Sequence, residues 1–299
     1  MIRQTIALGL FFWVFLAHAQ EDVLDEPEPA EWQFKGTYNV SFNQTLLSQW
    51  NAGGQNNTNA GVLIRQGLIY RKNKVRWENL VDLAYGVNYQ DDVLRKIDDK
   101  LEWNSRFDLI RHQDPLWKWS AFGSFKTQFF HGYSIPGDSL YASNFLAPAY
   151  GLGGLGITHK TNGFDFYASP FTGKWTIVND ARLSDEGAFG VTPGAQLRQE
   201  LGANINLRWQ HSYSKTIKGD LRLNVFENYL EPVLIPDMNG DLLLVFKGEG
   251  PLSVTLRSQF IYDGDVMVKD SNGDGKLDAA GLQLKQLTGV GLTYQIGNS

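Results

Sequence analysis

The 299-residue chain has no cysteine, which removes any disulfide framework, any thiolate metal site and any lipid-modified N-terminal cysteine. It also lacks long apolar runs. Only residues 6–16 form one, and a spanning helix needs about 20 apolar residues. Positive charge is in deficit: 27 Lys and Arg face 32 Asp and Glu, for a net charge of −5. An acidic balance argues against nucleic acid as a partner.

What is present at the N-terminus reads as a secretory leader. Arg3, the apolar run at 6–16 and the small-residue site Ala17-His18-Ala19 predict a signal peptide over residues 1–19, cleaved before Gln20. Its removal takes away Arg3 alone among the counted charges, so the mature chain carries −6. Length alone suggests two domains, but barrels run to about 250 residues as one unit, and one domain over 32–299 is expected.

The body of the chain alternates with a period of two. In 195–210, Leu197, Leu201, Ala203, Ile205, Leu207 and Trp209 interleave with Gln196, Arg198, Glu200, Asn204, Asn206, Arg208 and Gln210. One face of such a strand is oily and the other charged. The pattern holds for longer than the roughly 5–6 residues of a common strand and exceeds the 9–11 that cross a bilayer at a tilt. Twelve strands are expected, over 32–43, 58–71, 74–88, 98–110, 116–130, 150–159, 164–175, 195–210, 216–227, 241–247, 252–262 and 282–296. The odd-numbered links are long (44–57, 89–97, 131–149, 176–194, 228–240 and 263–281). The even-numbered ones are tight (72–73, 112–115, 160–163, 211–215 and 248–251). An even strand number, short turns at one end and long loops at the other are the marks of a bacterial outer-membrane barrel. The fold class read from the sequence is therefore all-β, a twelve-stranded antiparallel transmembrane β-barrel. The acid- and proline-rich residues 20–31 then become a flexible periplasmic lead-in.

The outward faces carry Trp77, Val81, Leu83, Tyr85, Val87 and Tyr89 on one strand and Trp103, Phe107 and Leu109 on the next. Trp and Tyr have an apolar ring with a polar tip and gather at headgroup level, so Trp117, Trp119, Tyr70 and Tyr294 are candidates for the periplasmic girdle. The inward faces carry Arg65, Arg76, Glu78, Asp82, Lys100, Glu102, Arg106, Asp108, Lys118, Lys126, Arg198, Glu200, Arg208, Lys218, Asp220, Arg222, Arg257 and Lys285. Twelve strands fall between the eight that side chains fill and the sixteen or more that leave a water channel. Two interiors are open at this point: a salt-bridged, occluded lumen, or a narrow polar pore whose basic surplus favours anionic solutes.

Between the last two strands, Asp270, Asn272, Asp274, Lys276 (through its carbonyl) and Asp278 stand at relative positions one, three, five, seven and nine, with Gly275 at six. That is the opening of an EF-hand-type loop and makes weak Ca²⁺ binding in an extracellular loop the one cofactor expectation. Position twelve is Gly281 in place of a bidentate Glu, and no helices flank the loop. Asp237-Met-Asn239-Gly-Asp241 is a shorter echo that reads as a turn. His131, Ser134, Asp138 and Ser139 share one outer loop and supply the residue types of a hydrolase without its elbow motif. His112, His159 and His211 fall singly at periplasmic strand ends.

The segment Asn43-Gln-Thr-Leu-Leu-Ser-Gln-Trp50-Asn-Ala-Gly-Gly-Gln-Asn resembles the N-terminal signature of an uncharacterised Bacteroidota outer-membrane family, domain of unknown function 3078. Ile261-Tyr-Asp263, Gln283-Leu-Lys285-Gln and Gly289-Val-Gly-Leu-Thr-Tyr294 are similar to its closing hairpin. The resemblance implies an outer-membrane barrel and carries over no catalytic residues. The chain departs from the usual terminal aromatic of such barrels, ending in Gly297-Asn298-Ser299.

Three readings follow: a narrow channel or surface ligand-binding barrel, a non-conducting accessory barrel of a larger envelope complex, and an outer-membrane hydrolase. Outer-membrane lipid is the expected partner in all three, joined by another envelope protein in the second. No enzymatic residue is assigned.

Overall fold

A computed structural model describes residues 31–45, 56–90, 93–110, 116–133, 140–231, 235–248, 250–264, 267–269 and 279–296. Eleven strands follow one another as β1 (Trp32–Thr45), β2 (Asn57–Lys72), β3 (Val75–Gln90), β4 (Val93–Ile110), β5 (Trp117–Thr127), β6 (Ala149–Lys160), β7 (Phe164–Ile177), β8 (Leu197–Ser212), β9 (Ile217–Asn228), β10 (Asp237–Lys247) and β11 (Leu252–Tyr262). After the small pair β12 (Met267–Lys269) and β13 (Ala279–Ala280), β14 (Gln283–Ile296) completes the sheet. Each barrel strand pairs antiparallel with its sequence neighbours, and β14 closes on β1 from Gly36↔Ile296 to Phe42↔Val290. The result is a closed antiparallel barrel of twelve strands. Closure leaves no edge with unpaired amides and carbonyls, which is what a sheet in hydrocarbon requires. Among the described residues no helix is long and apolar enough to cross a membrane.

The sheet is inside-out relative to a soluble protein. Leu155 and Phe171 are 70% exposed and Leu284 68%, all pointing away from the barrel axis, while Asp108, Thr158 and Asn204 are 0% exposed inside it. Alternation explains the split: a one-residue slip would turn every charge outward, so pairing register and polarity enforce one another.

Tight turns join β2 to β3, β6 to β7 and β10 to β11. Asn73 (φ 51°), Gly163 (φ 84°) and Gly250 (φ 77°) take the left-handed backbone there. Register shifts interrupt the wall at Gly86/Val87, at Leu155/Ile157 and at Ser169/Thr172, the last spanning Pro170 and Phe171. A bulge suits Pro170, which has no amide to give to the ladder. At Gly156 an added Cβ would stand 2.0 Å from the Ala168 carbonyl oxygen, so the β6–β7 approach demands glycine.

Three sequence expectations are corrected. The link expected over 89–97 is short, because β3 runs to Gln90 and β4 starts at Val93. Asp237–Asp241, read as a turn, is the start of β10, where Asp237 and Asp241 take inward positions. The strand expected over 116–130 leaves the ladder after Thr127, because the Asp99 carboxylate accepts from the Phe129 and Phe130 amides, each at 2.9 Å. The signal peptide lies outside the described residues, as does the lead-in up to Ala30. Glu31 is tied to β2, its carbonyl accepting from the Arg71 amide at 2.8 Å.

Candidate functional site: the charged interior and its cavities

Inside the barrel, charges are paired both between neighbouring strands and across the lumen. On the central level, Arg65 of β2 reaches Asp82 on β3 (3.3 Å), Asp220 on β9 (3.5 Å) and Asp241 on β10 (2.5 Å). Arg222 of β9 meets Asp82 at 2.7 Å, and Arg208 of β8 meets Asp220 at 2.9 Å. Arg257 of β11 joins Asp98 on β4 (2.7 Å) to Asp241 (2.9 Å), and Lys285 of β14 reaches Asp98 at 2.6 Å. Lys100 holds Glu102 at 2.6 Å.

A second cluster fills the tight-turn end. Arg76 pairs with Glu78 and, at 3.0 Å, with Asp108. Arg106 reaches across to Asp165 on β7 at 2.6 Å, and Lys160 bridges Glu78 (3.3 Å) and Asp165 (2.9 Å). Toward the long loops, Lys174 binds Glu200 (3.3 Å) and Asp237 (2.5 Å), and Arg198 binds Glu200 (3.2 Å) and Glu231 (2.7 Å). Charges taken out of water need partners of opposite sign, and most of the interior charges among the described residues have more than one.

The basic surplus read from the sequence is therefore reduced. Asp98, Asp165, Asp237 and Asp241 supply carboxylates that the sequence count left out, and Lys174 a cation. Asp165 had a legible signal, standing between the outward Phe164 and Phe166. Asp98 was taken only as a strand boundary, and Asp237 and Asp241 were assigned to a turn. With these acids in place, the inward excess of Lys and Arg no longer argues for anion selectivity along the whole lumen.

Lys118 and Lys126 also lie inward. Among the described residues neither has a carboxylate within ion-pair distance, although Lys118 is only 8% exposed. Of the girdle candidates, Trp119 and Tyr294 are more than half exposed on the outside. Tyr70 packs on Trp32 with ring centroids 4.8 Å apart, and Trp117 on His159 at 4.7 Å. His211 stacks on Trp209 at 5.7 Å. His131 lies against the Tyr141 ring at 4.5 Å. Ser134, Asp138, Ser139 and His112 lie outside the described residues. So do Asp270, Asn272, Asp274, Lys276 and Asp278, whose flanking segments β12 and β13 pair with each other.

The two long connectors after β5 and β7 fold together. Ala147, Val178, Leu183 and Val191 make a small apolar core, with Tyr141, Ala188 and Phe189 against it. A single helical turn, α1 (Ala181–Asp185), starts at Asp180, whose carboxylate accepts from the Leu183 amide at 3.1 Å and the Tyr141 hydroxyl at 2.6 Å. Those bonds, the tyrosine's foremost, hold the Asp180 carboxyl below its ordinary pKa and raise that of Tyr141.

Two cavities flank the central charges. One of about 360 Å³ lies by β1, β2 and β14 and is lined by Asn39, Ser41, Leu63, Thr255 and Arg257. The other, about 280 Å³, runs from Glu78, Arg106 and Asp165 past Phe122, Lys126 and Phe226 to Tyr150, Asp237 and Asp263 near the long loops.

A family model described as a protein of unknown function (DUF3078) matches residues 42–133. No curated protein matches the chain. Among solved structures, the translocator domain of autotransporter NalP from Neisseria meningitidis is similar at 10% identity and a TM-score of 0.36, with 98% of each chain covered. An outer-membrane channel from Pseudomonas putida F1 is similar at 11% identity and a TM-score of 0.39, over 92% of this chain and 99% of that one. The TodX monoaromatic hydrocarbon channel follows at 11% and 0.32, over 90% and 85%.

Proposed function

We propose that the protein is an outer-membrane β-barrel whose lumen is shut by ion pairs toward the periplasmic end, leaving a vestibule that opens at the cell surface and receives a small ligand. The observation that carries this reading is the Arg222–Asp82 contact, which joins opposite walls through the barrel centre. The apolar outside, the closed sheet and the strand lengths of 11–18 residues support insertion in a bilayer, where 9–11 tilted residues suffice. Below the vestibule, Arg76 (3% exposed) and Asp108 (0%) stand where a water path would have to pass.

Planar-bilayer recording tests the reading. The purified wild-type protein is expected to give no discrete current steps, and steps of uniform size would replace the sealed lumen by a pore. A narrow channel is the second reading, favoured by the height of the cavity of about 280 Å³, whose lining reaches from Glu78 to Asp263. It needs the Glu78–Arg106–Asp165–Lys160 cluster to part. The accessory reading shares the sealed lumen, and recovery of a constant envelope partner in mild detergent would favour it.

The same proposal includes weak Ca²⁺ binding by the loop over 270–278, supported by its oxygen spacing. Slower proteolysis of that loop in millimolar Ca²⁺, lost in Asp270→Ala and Asp274→Ala, is the expected result. No response to Ca²⁺ removes the site.

A further inference from the structure

Lys126 is an exception among the cations around the cavity of about 280 Å³. Lys100, Arg106, Lys174, Arg208 and Arg222 each have a carboxylate within 2.9 Å. Lys126 has none within ion-pair distance among the described residues. Its cross-strand neighbour on β4 is Glu102, but that carboxylate is already held by Lys100 at 2.6 Å and by the Asn104 amide at 2.8 Å. On its other side, in β6, stands Tyr150.

Glu102 and Lys100 flank Lys126 on β4, and the cavity lining also carries Glu78, Asp165, Asp237, Asp241 and Asp263, but on the β5–β6 side the wall next to Lys126 is mostly apolar. Phe122 and Ser124 share its face of β5, Tyr150 and Leu152 face them from β6, and Phe226, 2% exposed, closes the far side. Asn206 and Asn224 donate their amide protons along a side-chain chain (Asn224 to Asn206 at 2.7 Å, Asn206 to Asn204 at 2.9 Å), which leaves a neutral flank. Glu102 and Asp241 act on this ammonium from beyond ion-pair distance, so an anion that reaches Nζ directly gains a contact that neither carboxylate makes. At about 280 Å³ the space lies at the small end of the ~300–1,000 Å³ typical of ligand pockets.

We infer that this cavity is a binding site for a small amphipathic organic anion: a carboxylate that meets Lys126 Nζ, on an aromatic or aliphatic body that lies against Phe122, Tyr150 and Leu152. Inorganic anions miss the apolar wall, and neutral isosteres miss the ammonium. The inference goes beyond the sealed-barrel reading and rests on the cavity alone.

The test is calorimetric titration of the full-length protein in detergent with benzoate, benzamide and inorganic phosphate. Benzoate is expected to bind saturably, with benzamide and phosphate weaker by roughly tenfold or more, the ratio that one charge-assisted contact supplies. Lys126→Met should weaken benzoate by a similar factor. Lys118→Met, which removes an inward ammonium outside this cavity, should not. Phe122→Trp keeps the lysine and fills the space, so it should also weaken benzoate, giving a second route if Lys126→Met folds poorly. No saturable benzoate binding, equal binding of benzamide, or unchanged affinity in both cavity variants would overturn the site. Because binding is read in detergent, a conducting wild type would remove the sealed lumen and leave this inference standing.

Discussion

Arg222 on β9 donates to Asp82 on β3 at 2.7 Å, and those strands stand opposite one another in the barrel. Whether one goes round by β10, β11, β14, β1 and β2 or by β8, β7, β6, β5 and β4, five strands lie between them. The contact is a strut across the full diameter.

Removing one end of it should be costly. In Asp82→Ala, Arg222 and Arg65 lose a shared carboxylate that is 2% exposed, and breaking one side of a buried pair costs about 3–5 kcal/mol. The urea midpoint of the protein in detergent should fall accordingly, and bilayer recordings of this variant should show current where the wild type shows none. A midpoint within error of wild type would mean that water already solvates the pair.

On the opposite face, Ile205 of β8 is 38% exposed and points away from the axis. Ile205→Arg in a water-soluble barrel would be close to neutral. In a bilayer an Arg on the lipid face costs about 2–4 kcal/mol near the midplane. Folding titrations into lipid vesicles read the difference, and a neutral result would count against the membrane placement.

Gly291 sits on the closing seam, where an added Cβ would lie 2.0 Å from the Val40 carbonyl oxygen. Gly291→Ala should therefore force β14 off β1 and lower stability by about 1–3 kcal/mol. Gly123→Ala is the comparison, because its nearest neighbour would be the Leu152 carbonyl oxygen at 3.9 Å. Heat-modifiability on semi-native gels should separate the two, the first unfolding at lower temperature.

The outer loops have their own pH dependence. Asp180 is held below its ordinary pKa by the Tyr141 hydroxyl first and the Leu183 amide next, so its carboxylate favours the folded loop. That contribution is fully present above the unfolded value of about 3.9 and is lost as pH falls through the lower folded value. The protection factor of the Leu183 amide should hold down to about pH 4 and fall below it. Asp180→Ala should show the lower protection at every pH, a change of about fivefold for the ~1 kcal/mol of a lost N-cap.

Strand number, topology and facing were legible because alternation writes them twice, once in each face. Leu197, Leu201 and Ile205 lie outward and Arg198, Glu200 and Asn204 inward, as their spacing predicts. The misreadings came where local chemistry and register disagree. Asp237-Met-Asn239-Gly-Asp241 has the composition of a turn, yet Asp237 finds Lys174 and Asp241 finds Arg65 on strands that are not their neighbours. No local pattern reports a partner more than sixty residues away, so the balance of interior charge could not be read from single strands. The unpaired state of Lys126 is of the same kind, since it depends on Lys100 having taken Glu102 first.

The seam between β1 and β14 joins the first and last strands to be synthesised, from Gly36↔Ile296 to Phe42↔Val290. No cylinder can exist until β14 has been made, and the nascent polypeptide must stay open until then. Two of the three acids that neutralise Arg65, Asp220 and Asp241, arrive late, so an early β2–β3 hairpin would offer that guanidinium Asp82 alone. Assembly is thus expected to be a single late event, with truncated chains accumulating as protease-sensitive material rather than as smaller barrels.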